Sequence, residues 1–146
     1  MSQSDESTNT NWTLLFLCWL LVSVSATISI FFSSVLGYQP CVLCWYQRIC
    51  LFPLILILAA GLFPAFDKSV IKYALPLSIA GGLTAFYHSL LYAGIIPDSI
   101  QPCSKGVSCT EKYIELFGFI SIPMLSFLAF STLAVLLIIL KRRTSE

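Results

Sequence analysis

With 146 residues, of which 58% are hydrophobic and only 10% charged, the chain is too apolar for an ordinary soluble domain and reads as an integral membrane protein. The formal net charge of +1, with no long basic or acidic tract, excludes a nucleic-acid surface. Residues 1–11 form a polar tail that holds Asp5 and Glu6 but no lysine or arginine. This is a poor start for a signal peptide, and the tail is expected to be disordered and cytoplasmic. The apolar run 12–36 exceeds the roughly 20 residues that a bilayer crossing takes and reads as an uncleaved first span.

Gly37-Tyr38-Gln39-Pro40 breaks this helix and leads straight into Cys41-Val42-Leu43-Cys44-Trp45-Tyr46-Gln47-Arg48, where a polar turn meets a second apolar run, 44–63. Pro53 lies within that run, and membrane helices tolerate such a residue when neighbours satisfy the freed carbonyl. Asp67, Lys68 and Lys72 mark the next connection, before a third span at 70–93 that carries Pro76 and the close-packing pair Gly81-Gly82. The longest polar connection, 94–118, holds Cys103 and Cys109. Within it Ser108-x-x-Glu111 reads as a capping box ahead of Tyr113, Ile114, Leu116 and Phe117, which predicts a short helix lying on the membrane or the ragged start of the fourth span. The fourth span, 119–140, ends in the basic tail 141–146 with Lys141-Arg142-Arg143.

The fold class expected is therefore an all-α integral membrane protein, a four-helix transmembrane bundle with two external cysteine-containing loops. Lys68, Lys72, Lys141, Arg142 and Arg143 share one side of the four spans, against Arg48, Lys105 and Lys112 on the other. This bias puts both termini in the cytoplasm and both cysteine turns outside, where disulfides persist.

Cys18 and Cys50 fall inside apolar runs, where a lone cysteine acts as a small buried hydrophobe. The four turn cysteines, Cys41, Cys44, Cys103 and Cys109, allow three pairings; local closure, 41 with 44 and 103 with 109, is the simplest resting arrangement. Two cysteines separated by two residues at a helix start can open and close a disulfide in place, and a helix beginning near Cys44 sets that sulfur at the positive end of its dipole. Arg48 follows one turn deeper on the same face, and a permanent cation just inside the hydrocarbon needs a polar or anionic partner. The Cys44 thiolate or a reduced cofactor would supply one; the rival reading is a structural disulfide with Arg48 snorkelling to the headgroups.

His88 stands about five residues from the outer end of the third span, roughly 8 Å below the surface and level with Arg48. Together they outline a site for a flat polar head with an apolar tail, although a helix-to-helix hydrogen bond would also account for His88. Gln47, Tyr46 and Trp45 adjoin the site, with Trp45 read as an interfacial anchor. Gln39-Pro40-Cys41 and Gln101-Pro102-Cys103 echo each other, each proline stiffening the approach to a cysteine. A structural zinc is disfavoured, because five residues separate Cys103 from Cys109, Lys105 intervenes and neither turn holds a histidine. Hydrolysis has less support still, since His88 is the single histidine and no Gly-x-Ser-x-Gly elbow occurs.

Four spans, a Cys-x-Leu-Cys-x-x-x-Arg motif between the first two, and a second cysteine pair before the fourth resemble the disulfide bond formation protein B (DsbB) family, in its short Gram-positive BdbC-like type. The resemblance implies a membrane thiol-disulfide oxidoreductase of the bacterial cytoplasmic membrane. Cys44 would face a quinone, with Cys41 as its disulfide partner and Arg48 polarising the quinone, and His88 looks like the family's histidine near that cofactor. Cys103 would take the mixed disulfide with an extracytoplasmic thioredoxin-like thiol oxidase of DsbA or BdbD type, and Cys109 would resolve it. The Gram-positive likeness favours menaquinone over ubiquinone. The second pair departs from the best-known members, whose two cysteines lie far apart. Vitamin K epoxide reductase relatives share four spans and quinone chemistry, but their quinone-facing pair follows the shuttle pair, an order this chain does not have. The alternative function is a four-span structural membrane protein with two inert disulfides.

Overall fold

A computed structural model describes residues 2–100, 102, 109, 115–116 and 120–145. Four helices dominate it: α1 (Ser2–Ser34), α2 (Val42–Leu62), α3 (Ser69–Tyr92) and α4 (Ile122–Ser145). All four are long and apolar enough to cross a membrane. Each carries buried residues at spacings of three and four, such as Leu51, Leu54, Leu58 and Leu62 on α2 and Phe130, Leu133, Leu137 and Leu140 on α4. That spacing keeps one stripe of a helix facing its neighbours. The helices pack as a ring in which α1 meets α2 and α4, and α3 meets the same two. Outward faces carry large apolar side chains, with Leu56 73% and Leu83 65% exposed, a pattern stable only where the surrounding solvent is lipid. The expected all-α, multi-pass membrane bundle is what the chain forms.

The termini and turns differ from expectation in informative ways. The tail expected to be disordered is helical from Ser2, continuous with the first span. Adding turns to an existing helix is cheap, and Thr10 and Thr13 turn their hydroxyls back to the Glu6 and Asn9 carbonyls instead of competing for a cap. Helix α2 starts at Val42, so Cys41 rather than Cys44 stands at its N-terminal boundary, with extended backbone. Of the stretch expected to form a membrane-lying helix, Ser108, Glu111, Tyr113, Ile114 and Phe117 lie outside the described residues, as do Gln101 and Cys103. Glu115–Leu116 is extended and pairs antiparallel with Ile120–Ser121, so α4 begins at Ile122, with Pro123 in the first turn where its missing N–H costs nothing. Pro53 and Pro76 both sit inside continuous helices.

Two close approaches set the packing. Any side chain at Gly81 would meet the Phe130 ring of α4, and one at Gly61 would meet Val70 of α3. Gly82, the other half of the expected close-packing pair, has only ordinary van der Waals room beside Phe130. At the cysteine end, Gly37 and Gly94 end the turns after α1 and α3 with φ of 69° and 73°, a conformation that disfavours any residue with a Cβ.

Candidate redox site

The short turn 35–41 returns the chain from α1 and delivers Cys41 to the bundle axis in extended backbone, from which Val42 opens α2. One turn of helix later Cys44 points back to it: the two Sγ atoms lie 3.3 Å apart in hydrogen-bond contact, and both are free thiols. A covalent S–S bond is about 2.05 Å, so the pair is held in its dithiol state one short rotation from closure, rather than in the closed arrangement expected. Cys109, from the connection before α4, is disulfide-bonded, and its sulfur lies within 4.8 Å of the Cys41 sulfur and of the His88 ring. Cys103 lies outside the described residues.

His88 reaches this cluster from α3 and is 4% exposed. Gln47 Nε2 stands 3.2 Å from His88 Nδ1, and with the amide donating, the ring proton resides on Nε2. That nitrogen is 3.7 Å from Cys41 Sγ and 3.3 Å from the Cys109 carbonyl. The Cys44 thiol, and after it His88, holds the Cys41 sulfur well below the usual thiol range, against the opposing effect of burial. The expected proximity of His88 to the cysteine turn is therefore realised as direct contact with Cys41.

Arg48 lies one turn below Cys44, and among the described residues its hydrogen-bond partners are serines of α1. Its Nε donates to Ser29 Oγ at 2.9 Å, and its Nη2 donates to the Ser29 carbonyl at 2.6 Å and to Ser33 Oγ at 3.0 Å. The guanidinium thus ties α2 to α1, with the Trp45 ring 5.5 Å from its central carbon. Among the described residues Nη1 makes no hydrogen bond. Trp45 and Tyr46 are half exposed on the outer face, where an interfacial anchor belongs.

Between these groups and the helices lies a cavity of about 400 Å³. Cys41, Cys44, Gln47, Arg48, His88 and Cys109 all border it, so the structure gathers every described residue expected at the site around one space. Its remaining wall is mostly apolar, with Leu21 and Ile28 from α1 and Leu125 and Leu133 from α4. The sequence reading missed Ser25, Ser29 and Ser33. They recur every fourth residue along the first span and all face the cavity, a periodic signal that was available.

Comparison with known proteins follows the same lines. Residues 9–140 match the family described as Disulfide bond formation protein DsbB. A "Probable disulfide formation protein" of Metapseudomonas resinovorans is 47% identical over 135 residues, covering 92% of this chain and 93% of that protein. A "Probable disulfide formation protein C 2" of Bacillus cereus is 42% identical, with 89% and 92% covered. The "Disulfide bond formation protein C" of Bacillus subtilis is 39% identical, with 90% and 95% covered. No solved structure matches the chain. A close cysteine pair, a neighbouring disulfide and likeness over most of the chain converge on one conclusion: the chain belongs to the DsbB family of disulfide-forming membrane oxidoreductases.

Proposed function

We propose that the protein carries two electrons at a time from an extracytoplasmic thioredoxin-like thiol oxidase, of DsbA or BdbD type, to a membrane quinone, with the cysteine end of the bundle outside and both chain ends in the cytoplasm. The observation that carries this reading is contiguity: the sulfurs of Cys109 and Cys41 lie within 4.8 Å, those of Cys41 and Cys44 lie 3.3 Å apart, and all three residues border the cavity.

In this reading Cys109 pairs with Cys103. A partner thiolate attacks Cys103, and the partner's second thiol then releases it, so the partner leaves oxidised and Cys103 and Cys109 become thiols. The Cys109 thiolate attacks Cys41 of the closed Cys41–Cys44 pair, expelling the Cys44 thiolate, and Cys103 then resolves the Cys41–Cys109 bond. The outer disulfide is restored and the inner pair holds two electrons, the state in which Cys109 is bonded and Cys41 and Cys44 are thiols. Reclosure of Cys41–Cys44 delivers two electrons and two protons to the cavity. His88 donates to Cys41 and stabilises it as the better leaving sulfur in the first half and the better nucleophile in the second.

The cavity suits a quinone: its walls are apolar, and its polar groups converge at the cysteine end, where Arg48 is the charged residue among the described lining. Bound there, a quinone would serve as a two-electron, two-proton acceptor, held by Arg48 and Gln47 beside Cys44. The serines of α1 fix the guanidinium in place before any ligand arrives, so no side-chain ordering remains to oppose binding.

The decisive experiment supplies purified protein with a reduced thioredoxin-like oxidase and follows quinol formation from menaquinone and ubiquinone analogues in parallel. Turnover that disappears in Cys44→Ser, faster with menaquinone, is the expected result. Absence of turnover with both quinones, with all four turn cysteines remaining oxidised, would favour the structural reading with inert disulfides.

A further inference from the structure

The fold brings together a donor set that neither cysteine turn contains alone. Cys41 Sγ, Cys109 Sγ and a ring nitrogen of His88 lie within 4.8 Å of one another, and all three residues are at most 6% exposed. Tetrahedral zinc, with Zn–S of about 2.3 Å and Zn–N of about 2.0–2.1 Å, places its ligands roughly 3.5 Å apart for sulfur and nitrogen and roughly 3.8 Å for two sulfurs. The Cys41 Sγ to His88 Nε2 distance of 3.7 Å already fits such an edge. Cys109 needs a small inward movement, which opening of its disulfide would release.

We infer that the fully reduced protein binds one Zn²⁺ through Cys41, His88 Nε2 and Cys109, with the fourth position open to the cavity, and that the ion holds the protein out of the relay. Each thiol ligand gives up its proton on binding, so no oxidant or reductant is consumed. The site is gated by redox state, because Cys109 ligates only when its disulfide is open and Cys41 only when the inner pair is open. Both conditions hold together when reducing partner is supplied faster than quinone removes electrons. A sulfur held by zinc must leave the metal before it can close a disulfide, so the ion would hold that over-reduced state.

Gln47 makes the switch between roles possible. For Nε2 to ligate, the ring proton must move to Nδ1, which then needs an acceptor, and rotation of the Gln47 amide presents Oε1 in place of Nε2 at the observed 3.2 Å. The same two residues thus hold Cys41 as a reactive sulfur in one tautomer and hold a metal in the other, with a hydrogen-bonded histidine of the kind metal sites use. The cavity provides the entry path and room for a water as fourth ligand.

The test uses full-length protein in detergent, either oxidised or fully reduced and freed of reductant, titrated with Zn²⁺ against a chromogenic chelator and, separately, with Co²⁺. The expected result is one ion per reduced chain and none on the oxidised protein, a tetrahedral Co²⁺ spectrum with sulfur charge-transfer bands, and protection of Cys41 and Cys109 from a maleimide. His88→Gln and Cys109→Ser should each weaken binding at least about tenfold, and Gln47→Ala about tenfold through the orientation of the ring. Zinc binding that survives His88→Gln and Cys109→Ser but is lost in Cys44→Ser would overturn the assignment, placing the ion on the Cys41–Cys44 pair alone, as would absence of binding. Metal-free quinone turnover of the same preparation reports the relay separately, so failure of one does not imply failure of the other.

Discussion

The two ends of the bundle are built on opposite principles. At the end away from the cysteines, Leu54, Leu58 and Leu62 of α2 and Leu137 and Leu140 of α4 are at most 1% exposed, and Trp12 Nε1 donates to the Leu62 carbonyl to tie α1 to α2. At the cysteine end the helices part around a cavity, and polar pins supplement a small apolar cluster around Leu43 and Leu91: Arg48 to Ser29 and Ser33, Gln47 to His88, His88 to Cys41. Lipid tails are as apolar as leucine, so close packing rather than water exclusion holds membrane helices together. A bundle can therefore leave one end open only if the other end is well packed and the open end is cross-linked by directional bonds. The fold concentrates its stability at one end and its chemistry at the other.

Removing a pin should cost function more than it costs the fold. In Arg48→Ala the cavity loses its cation, and quinone reduction should fall on the order of a hundredfold, by analogy with the loss of one preorganised donor from an active site. Exchange between the partner and the outer disulfide of Cys109 should proceed unchanged, since the hydrogen-bond partners of Arg48 among the described residues all lie on α1. Stopped-flow measurement of both half-reactions checks this, and unaltered quinone kinetics would remove Arg48 from the mechanism. Removing packing should do the reverse. Leu137→Ala opens a void in the closed end, and because lipid is as apolar as leucine, mainly lost contacts count, about 2 kcal/mol, near the low end of such core truncations. Denaturation in mixed micelles reads that loss, while turnover per folded molecule should stay close to that of the unaltered protein.

The closed end was readable from the sequence because it is repetitive: apolar runs of spanning length, basic residues at one side and glycines where helices touch. The open end was read in part. The cysteine spacing, Arg48 and His88 stood out as polar groups in an apolar setting, and the fold sets all of them around one cavity. What spacing did not convey was which group meets which. Arg48 was expected to answer to the Cys44 thiolate or a reduced cofactor, and its hydrogen-bond partners among the described residues lie 15 and 19 residues back, on α1. The meeting of Cys109 with Cys41 and His88 joins residues 21 and more positions apart through a long connection of mixed polar and apolar residues, which local spacing does not reveal. Helix start was misjudged by two residues, enough to transfer the N-terminal boundary from Cys44 to Cys41.

That transfer sharpens the contrast to a single sulfur. Cys41 is the thiol held low, first by the hydrogen bond with Cys44 and then by His88. A depressed pKa leaves the thiolate populated at pH values where an ordinary thiol, near 8.5, is protonated, so Cys41 of the reduced protein should react with iodoacetamide well into the acid range. Removing a stabilising neighbour raises the folded-state pKa back toward the ordinary value and moves the alkylation profile to higher pH. Because Cys44 is the larger cause, Cys44→Ala should move it further than His88→Gln, and mass spectrometry of the labelled Cys41 peptide across pH gives both shifts. A reversed order would mean that the histidine, more than the paired thiol, activates the sulfur. Identical profiles in all three proteins would mean that neither neighbour does, and would leave contiguity alone to support the place of Cys41 in the relay.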